Sequence, residues 1–149
     1  MEILAPITGE VVPLTEVPDE VFAEGMAGDG GAIVPAESGE AVAPASGTLA
    51  KLFEGGHAFG ISTEGGVEII VHLGLDTIQM EGGGFEKLAT EGERVEAGQP
   101  IVRVNLDAIR EAGYEPVSPV VVANSDEHSV GNLKTGSIEA GEPMFEVAE

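Results

Sequence analysis

Three observations predict an all-β domain. The chain's 22 glycines and 9 prolines fall between short apolar runs, the punctuation that separates strands. Helical periodicity is scarce. Two segments also occur twice. Ala5-Pro6-Ile7-Thr8-Gly9-Glu10-Val11 is echoed by Ala43-Pro44-Ala45-Ser46-Gly47-Thr48-Leu49, and Val95-Glu96-Ala97-Gly98-Gln99-Pro100-Ile101 by Ile138-Glu139-Ala140-Gly141-Glu142-Pro143-Met144. A repeated strand–turn–strand unit indicates a duplicated β architecture.

The strands are expected at Gly9–Leu14, Gly31–Val34, Gly39–Val42, Gly47–Phe53, Ala58–Thr63, Val67–Leu73, Pro100–Val104, Pro119–Val122 and Pro143–Val147. In the second echo each glycine permits a turn at positive φ. Each proline then opens a strand where its missing N–H does no harm. Two short helices are expected, at Gly84–Thr90 and at Leu106–Ala112. The second has Asn105 as N-cap and Gly113 as its stop. No segment reads as a linker, so residues 1–149 form a single domain, long enough for one sizeable core. With no Trp and few aromatics, that core must rest on Val, Ile, Leu and Ala.

The charge is lopsided. Asp and Glu number 27 against 6 Lys and Arg, a formal net charge of −21. Nucleic acid and anionic membranes are poor partners for such a surface, because Lys and Arg are what displace phosphate counterions. The charge means a heavily solvated surface, or a salty cytoplasm in the source organism, in which case lowering KCl should unfold the protein. There is no Cys, hence no disulfide, thiolate metal site or cysteine nucleophile. The first residues lack a basic region and a long apolar stretch, unlike a signal peptide. No apolar run is long enough to span a bilayer. The expected compartment is the cytoplasm, as a free domain or as one domain of a larger transporter.

Chemistry points to the histidines, of which there are three. In Val67-Glu68-Ile69-Ile70-Val71-His72-Leu73-Gly74-Leu75-Asp76, strand alternation puts Val67, Ile69, Val71 and Leu73 on the core face. His72 falls on the other, with Gly74 leaving room beside it and Asp76 at the strand end. His57 follows a Gly55-Gly56 pair and lies between Phe53 and Phe59. A hairpin with Glu64-Gly65 as a two-residue turn would set His57 directly opposite His72, close enough to touch.

Such a pair admits three readings. A neutral imidazole is a good nucleophile near pH 7, so one ring can accept a phosphoryl group while the other donates a hydrogen bond to it. Two histidines can be half of a zinc site, with Glu68 or Asp76 as a carboxylate. Or both are structural. No His-Glu-x-x-His occurs, which removes the compact signature of a zinc peptidase. His128 sits in a polar loop and reads as solvated. No glycine loop carries the phosphate-binding Lys, and Gly28–Gly31 and Glu81–Gly84 read as turns. No nucleophile elbow is present. Lys51, Lys87 and Lys134 lack the hairpin-tip setting of a biotinyl or lipoyl carrier.

A set of motifs spread over most of the chain resembles one family. They are Ala5-Pro6-Ile7-Thr8-Gly9-Glu10-Val11-Val12, Val17-Pro18-Asp19-Glu20-Val21-Phe22-Ala23, Gly28-Asp29-Gly30, Val42-Ala43-Pro44-Ala45-Ser46-Gly47-Thr48, His57-Ala58-Phe59, Val71-His72-Leu73-Gly74-Leu75-Asp76-Thr77, Gly82-Gly83-Gly84-Phe85, Gly92-Glu93-Arg94-Val95-Glu96-Ala97-Gly98 and Ser118-Pro119-Val120-Val121. Together they resemble the glucose-type EIIA component of the bacterial phosphoenolpyruvate:sugar phosphotransferase system.

The resemblance implies a β-sandwich or flattened barrel of duplicated hybrid-motif type. It implies a phosphotransferase component in which His72 is phosphorylated on Nε2 and His57 contacts the phosphoryl group. It implies phospho-HPr as donor and a cysteine of an EIIB domain as acceptor, during sugar uptake. Asp19 and Asp76 match carboxylates flanking the site, and Val21, Phe22, Met26, Ala27, Phe53 and Phe59 match an apolar docking rim. No cofactor is required. A second role is implied as well: regulation of a permease, kinase or cyclase by phosphorylation state, with zinc shared between His57, His72 and a partner's carboxylate. One position departs from the family, which often carries a hydrogen-bonding Thr where this chain has Gly55.

Overall fold

A computed structural model describes all residues, 1–149. Fourteen strands run in chain order: β1 Glu2–Leu4, β2 Gly9–Val12, β3 Asp29–Pro35, β4 Gly39–Val42, β5 Gly47–Leu52, β6 Ala58–Ser62, β7 Glu68–His72, β8 Phe85–Lys87, β9 Arg94–Val95, β10 Pro100–Val104, β11 Ser118–Val122, β12 Val130–Gly131, β13 Gly136–Ile138 and β14 Pro143–Val147. The helices are α1 Glu20–Ala23 and α2 Leu106–Glu111. The eight-stranded sheet has the order β13-β2-β3-β11-β7-β6-β5-β9, and two three-stranded sheets have the orders β1-β14-β12 and β4-β10-β8. The result is an all-β sandwich of open sheets with two short helices.

The duplication expected from the echoes governs the whole topology. Exchanging β1 with β4, β2 with β5, β3 with β6, β11 with β7, β12 with β8, β13 with β9 and β14 with β10 reverses the large sheet onto itself and swaps the small ones. Backbone bonds repeat under the same exchange. Ala5 N donates to Glu142 O and Gly141 N to Ala5 O; Ala43 N donates to Gln99 O and Gly98 N to Ala43 O, all at 2.8 Å. Gly98 and Gly141 have φ of 88° and 91°, the left-handed turns that a side chain would oppose. The copy built from β4–β10 is continuous in sequence. It is inserted between β3 and β11 of the other.

Alternation then sorts the side chains. Ile69 and Val71 of β7 point into a 27-residue core shared by both copies, which also holds Ile33, Phe59, Ile61, Val120 and Phe145. The opposite face of the β3-β11-β7 strip carries a smaller cluster, Leu14, Val17, Ala32, Leu75, Val117 and Val121, with Phe22, Ala27 and Ile70 packed on it. The connection from β2 to β3, including α1, covers that strip.

Two expectations are corrected. Gly84–Thr90 is not helical. Gly84 has φ of 96°, which a helix does not accept, and Phe85–Lys87 pairs with Val102–Val104 of β10. The β6–β7 hairpin also closes with a longer loop. Thr63 N donates to Val67 O, leaving Glu64, Gly65 and Gly66 in the loop, with Gly66 at φ 87°. This is the three-residue hairpin with a left-handed third residue. It moves the register by one, so Ala58 rather than His57 pairs with His72. The helix expected at Leu106–Ala112 is α2, where the Asn105 side chain accepts from Ala108 N at 3.1 Å.

Candidate functional site

His72 is the last residue of β7, on the face away from the main core, and is half-buried. Its Nδ1 lies 2.5 Å from the Gly74 carbonyl. A carbonyl only accepts, so Nδ1 carries the proton and Nε2 the lone pair. The turn that aims this carbonyl needs glycine. Gly74 has φ of 84°, and a Cβ there would stand 2.6 Å from Thr77 Cγ2 and 3.1 Å from Glu115 O. The turn is braced by Thr77 Oγ1 donating to Leu73 O at 2.8 Å and by Gly74 N donating to Ser118 Oγ at 3.3 Å.

His57 stands one residue before β6, after Gly56 at φ 81°. A strict one-residue register slip would send its side chain to the core face. Because it precedes the regular strand, alternation does not bind it, and its ring meets that of His72 edge-on with centroids 5.4 Å apart. The pair is therefore formed as expected, by a local turn rather than by cross-strand opposition. Phe53 abuts His57 at 5.1 Å and Phe22 abuts His72 at 5.7 Å, giving a row of four rings.

Burial pushes both imidazoles below the ordinary histidine value of 6.5. For His57 the adjacent His72 adds to the effect. For His72 the Gly74 carbonyl, Asp19 and Asp76 pull the other way without overcoming it. Both rings are thus neutral at pH 7, and His72 presents an unprotonated Nε2, the state a nucleophile requires.

Asp19 is the N-cap of α1, its carboxylate accepting from Val21 N at 2.9 Å. Asp76 sits just past His72 with φ of 61° and an exposed side chain. Around them Val21, Met26 and Phe53 are exposed, Met26 by 72%, while Phe22 and Ala27 are half-buried against the small cluster. Phe59 does not belong to this rim. It is fully buried in the main core, because the register that puts Ala58 beside His72 turns the next residue inward. Ile78, 60% exposed, is the apolar residue that sequence reading missed; it lines a recess with Glu54, Gly55, His57 and Glu81. Its signal was present, an apolar residue in the turn two positions after Asp76. The α1 helix was missed too, although Pro18-Asp19-Glu20 is a helix-start pattern.

The largest hollow lies elsewhere, between Ser38, Glu40, Glu86, Arg103 and Asn105. Arg103 is paired there with Glu40 at 3.2 Å and Glu86 at 2.8 Å. His128 is remote from the pair in sequence and binds Ala148 O through Nδ1.

Residues 1–128 match the family described as phosphoenolpyruvate-dependent sugar phosphotransferase system, EIIA 1. The chain is a member of that EIIA family. Its relatives include the N-acetylglucosamine-specific EIICBA component of Escherichia coli (strain K12), 46% identical over 148 residues, 98% of this chain and 23% of that protein. The glucoside-specific EIICBA component of Staphylococcus carnosus is 42% identical over 96% of this chain and 20% of its own length. The glucose-specific EIIA component of Borreliella burgdorferi is 43% identical, covering 93% of this chain and 73% of that one. The EIIA domain thus spans about a fifth to a quarter of the fused relatives it matches. Glucose permease IIA from Mycoplasma capricolum superposes with a TM-score of 0.92 at 40% identity, over 97% of this chain and 94% of that one. That neighbour carries the same fold as this EIIA chain. No helix of this chain is long and apolar enough to cross a membrane.

Proposed function

We propose that the protein is a cytoplasmic phosphohistidine carrier of sugar uptake, phosphorylated on Nε2 of His72. The observation that supports it most is the Nδ1–Gly74 hydrogen bond, which leaves Nε2 unprotonated beside a second neutral ring. In the forward step Nε2 attacks the phosphorus of a phosphohistidine on HPr. The new N–P bond forms as the donor's N–P bond breaks, and the electron pair of that bond returns to the donor nitrogen. The Nδ1 proton stays on His72, donated in a hydrogen bond to the Gly74 carbonyl. His57 donates from its other nitrogen to the phosphoryl oxygens. In the second step a cysteine thiolate of an EIIB domain attacks the same phosphorus and Nε2 recovers its lone pair. Transfer of this kind rests on positioning and on stabilising charge on the equatorial oxygens.

Partner docking falls to the rim of Val21, Phe22, Met26, Ala27, Phe53 and Ile78. Asp19 and Asp76 offer negative charge to a basic partner face. The presence of EIIA within EIICBA relatives supports an EIIB acceptor. Neither step calls for a cofactor. Within this chain no third His, Cys, Asp or Glu joins the histidine pair to hold a metal, so zinc would need a partner's ligand.

The test is incubation with phosphoenolpyruvate, the system's general kinase and HPr, followed by intact mass and site mapping. One acid-labile phosphoryl group, absent only from His72→Gln, is the expected result. A wild-type protein that no HPr phosphorylates would overturn the reading.

A further inference from the structure

The chain has no Cys and no Trp, so its most readily oxidised side chains are the four methionines. The fold treats them unequally. Met144 is fully buried in the main core. Met80 is half-buried and packed against that core, its Cε lying 3.2 Å from where a Cβ at Gly84 would stand. Met1 is 39% exposed and is tied to β14 through Val147. Met26 is 72% exposed, more than any other large apolar residue of the chain.

That exposure is fixed by the backbone. Met26 N and Ala27 N both donate to Val21 O, at 2.9 and 3.3 Å, which wraps the chain past the end of α1. Gly25 makes the turn at φ 75°. A Cβ there would meet nothing within 4 Å, so the turn that presents Met26 is open on that side. A lone exposed apolar residue is ordinary on a protein surface. Met26, however, belongs to the short connection that lays Phe22 against His72, and it continues an apolar edge formed by Val21, 47% exposed, with Phe22 and Ala27 half-buried behind it.

We propose that Met26 is an oxidation site through which hydrogen peroxide regulates docking: its sulfoxide puts a strong dipole on the apolar edge and weakens the hold on the phosphoryl donor. The sulfur attacks one peroxide oxygen. The S–O bond forms as the O–O bond breaks, the proton on the attacked oxygen passes to the departing hydroxide, and water leaves. Sulfur is oxidised by two electrons and the peroxide is reduced by two. A sulfoxide oxygen binds water, which an apolar contact strips away without replacement. Selective oxidation follows from exposure alone; the effect on docking rests on the phosphocarrier reading.

Limited treatment with hydrogen peroxide, followed by peptide mass mapping, reads the order in which the methionines gain oxygen. Met26 should react first, Met80 more slowly, and Met144 not at all in the folded protein. Protein oxidised at Met26 should then need roughly five- to tenfold more phospho-HPr for half-maximal phosphorylation, the loss of one interface side chain. The saturated rate and the urea midpoint should not change. Methionine sulfoxide reductases for both epimers should restore the untreated value, the oxygen leaving as water while a dithiol becomes a disulfide. Met26→Leu, compared with its own untreated form, should show no change on the same treatment. Met80 or Met144 reacting as fast as Met26 overturns the proposal, and so does an oxidised Met26 that docks as well as the thioether. A urea midpoint lowered by oxidation overturns it too, because general damage would then account for the loss. Untreated wild type that no HPr phosphorylates would overturn the phosphocarrier reading and with it the docking effect, while the order of oxidation would stand or fall on the mapping.

Discussion

The two copies of the strand–turn unit have the same skeleton and unequal chemistry. Gly9 and Gly47 occupy matching places: a Cβ at the first would strike Val34 O at 2.1 Å, and at the second Ser62 O at 2.3 Å. Counting back from Val34 and Ser62, Gly28 matches Gly56, both at positive φ, and Asp29 matches His57. Across the sheet Gly30 pairs with Val121 as Ala58 pairs with His72. The first copy therefore has Asp29 and Val121 where the second has the two histidines. Backbone demands were duplicated and the site was not. What the first copy supplies instead is a wall. The chain between β2 and β3 is long enough to hold α1 and lay Phe22 against His72, whereas only a short turn, Phe53–His57, precedes β6.

The sharpest test of that comparison exchanges effects between matched positions. His72→Gln should remove all phosphorylation, read by intact mass, at little cost in stability. Val121→Ala, on the fully buried counterpart, should leave phosphorylation intact and cost roughly 2 kcal/mol in urea unfolding. Next in size, His57→Gln should accept phosphate at full amplitude but pass it on more slowly, on the order of a hundredfold, as for loss of one preorganised donor. Rapid-quench transfer to an EIIB domain measures this. Gly9→Ala and Gly47→Ala should each destabilise by about 3 kcal/mol through backbone overpacking. Clearly unequal urea midpoints would break the equivalence of the copies.

The smallest effect is in pH. Both site histidines titrate below 6.5 in the folded protein, so the unfolded chain binds protons first as pH falls. Their contribution to stability is fully present above 6.5 and is lost below it. Urea midpoints of wild type should therefore fall more between about pH 7.5 and about 5.5 than those of the double variant His57→Gln/His72→Gln.

Strands that open on glycine or proline were legible in the sequence. Gly39–Val42, Pro100–Val104 and Pro143–Val147 occur as expected, because those residues set local φ and hydrogen bonding without tertiary help. Strands of two or three residues, β1, β8, β9, β12 and β13, were not, since pairing across the fold creates them. The histidine pair was legible although its register was not. A loop of two residues and one of three look alike around Glu64-Gly65-Gly66, yet they differ by a full reversal of faces. The docking-rim place that the resemblance implied for Phe59 fails in the observed register, where Phe59 pairs with Val71 and points into the core. Ile78 and α1 carried signals that periodicity over so few residues could not raise.

The insertion of β4–β10 between β3 and β11 has a consequence for how the protein is made. Synthesis runs from the N-terminus, so within this domain β1, β2 and β3 emerge before the inner copy, yet β1 pairs with β14 and β3 with β11. Those early strands must wait with open edges while the inner copy, which carries both histidines, becomes able to close on itself. β14, which emerges after the rest of the domain, then locks β1, and Met1 N is bonded to Val147 O at 3.0 Å. Native contacts of such long sequence separation slow folding, and the waiting edges are the ones most exposed to pairing with another nascent chain.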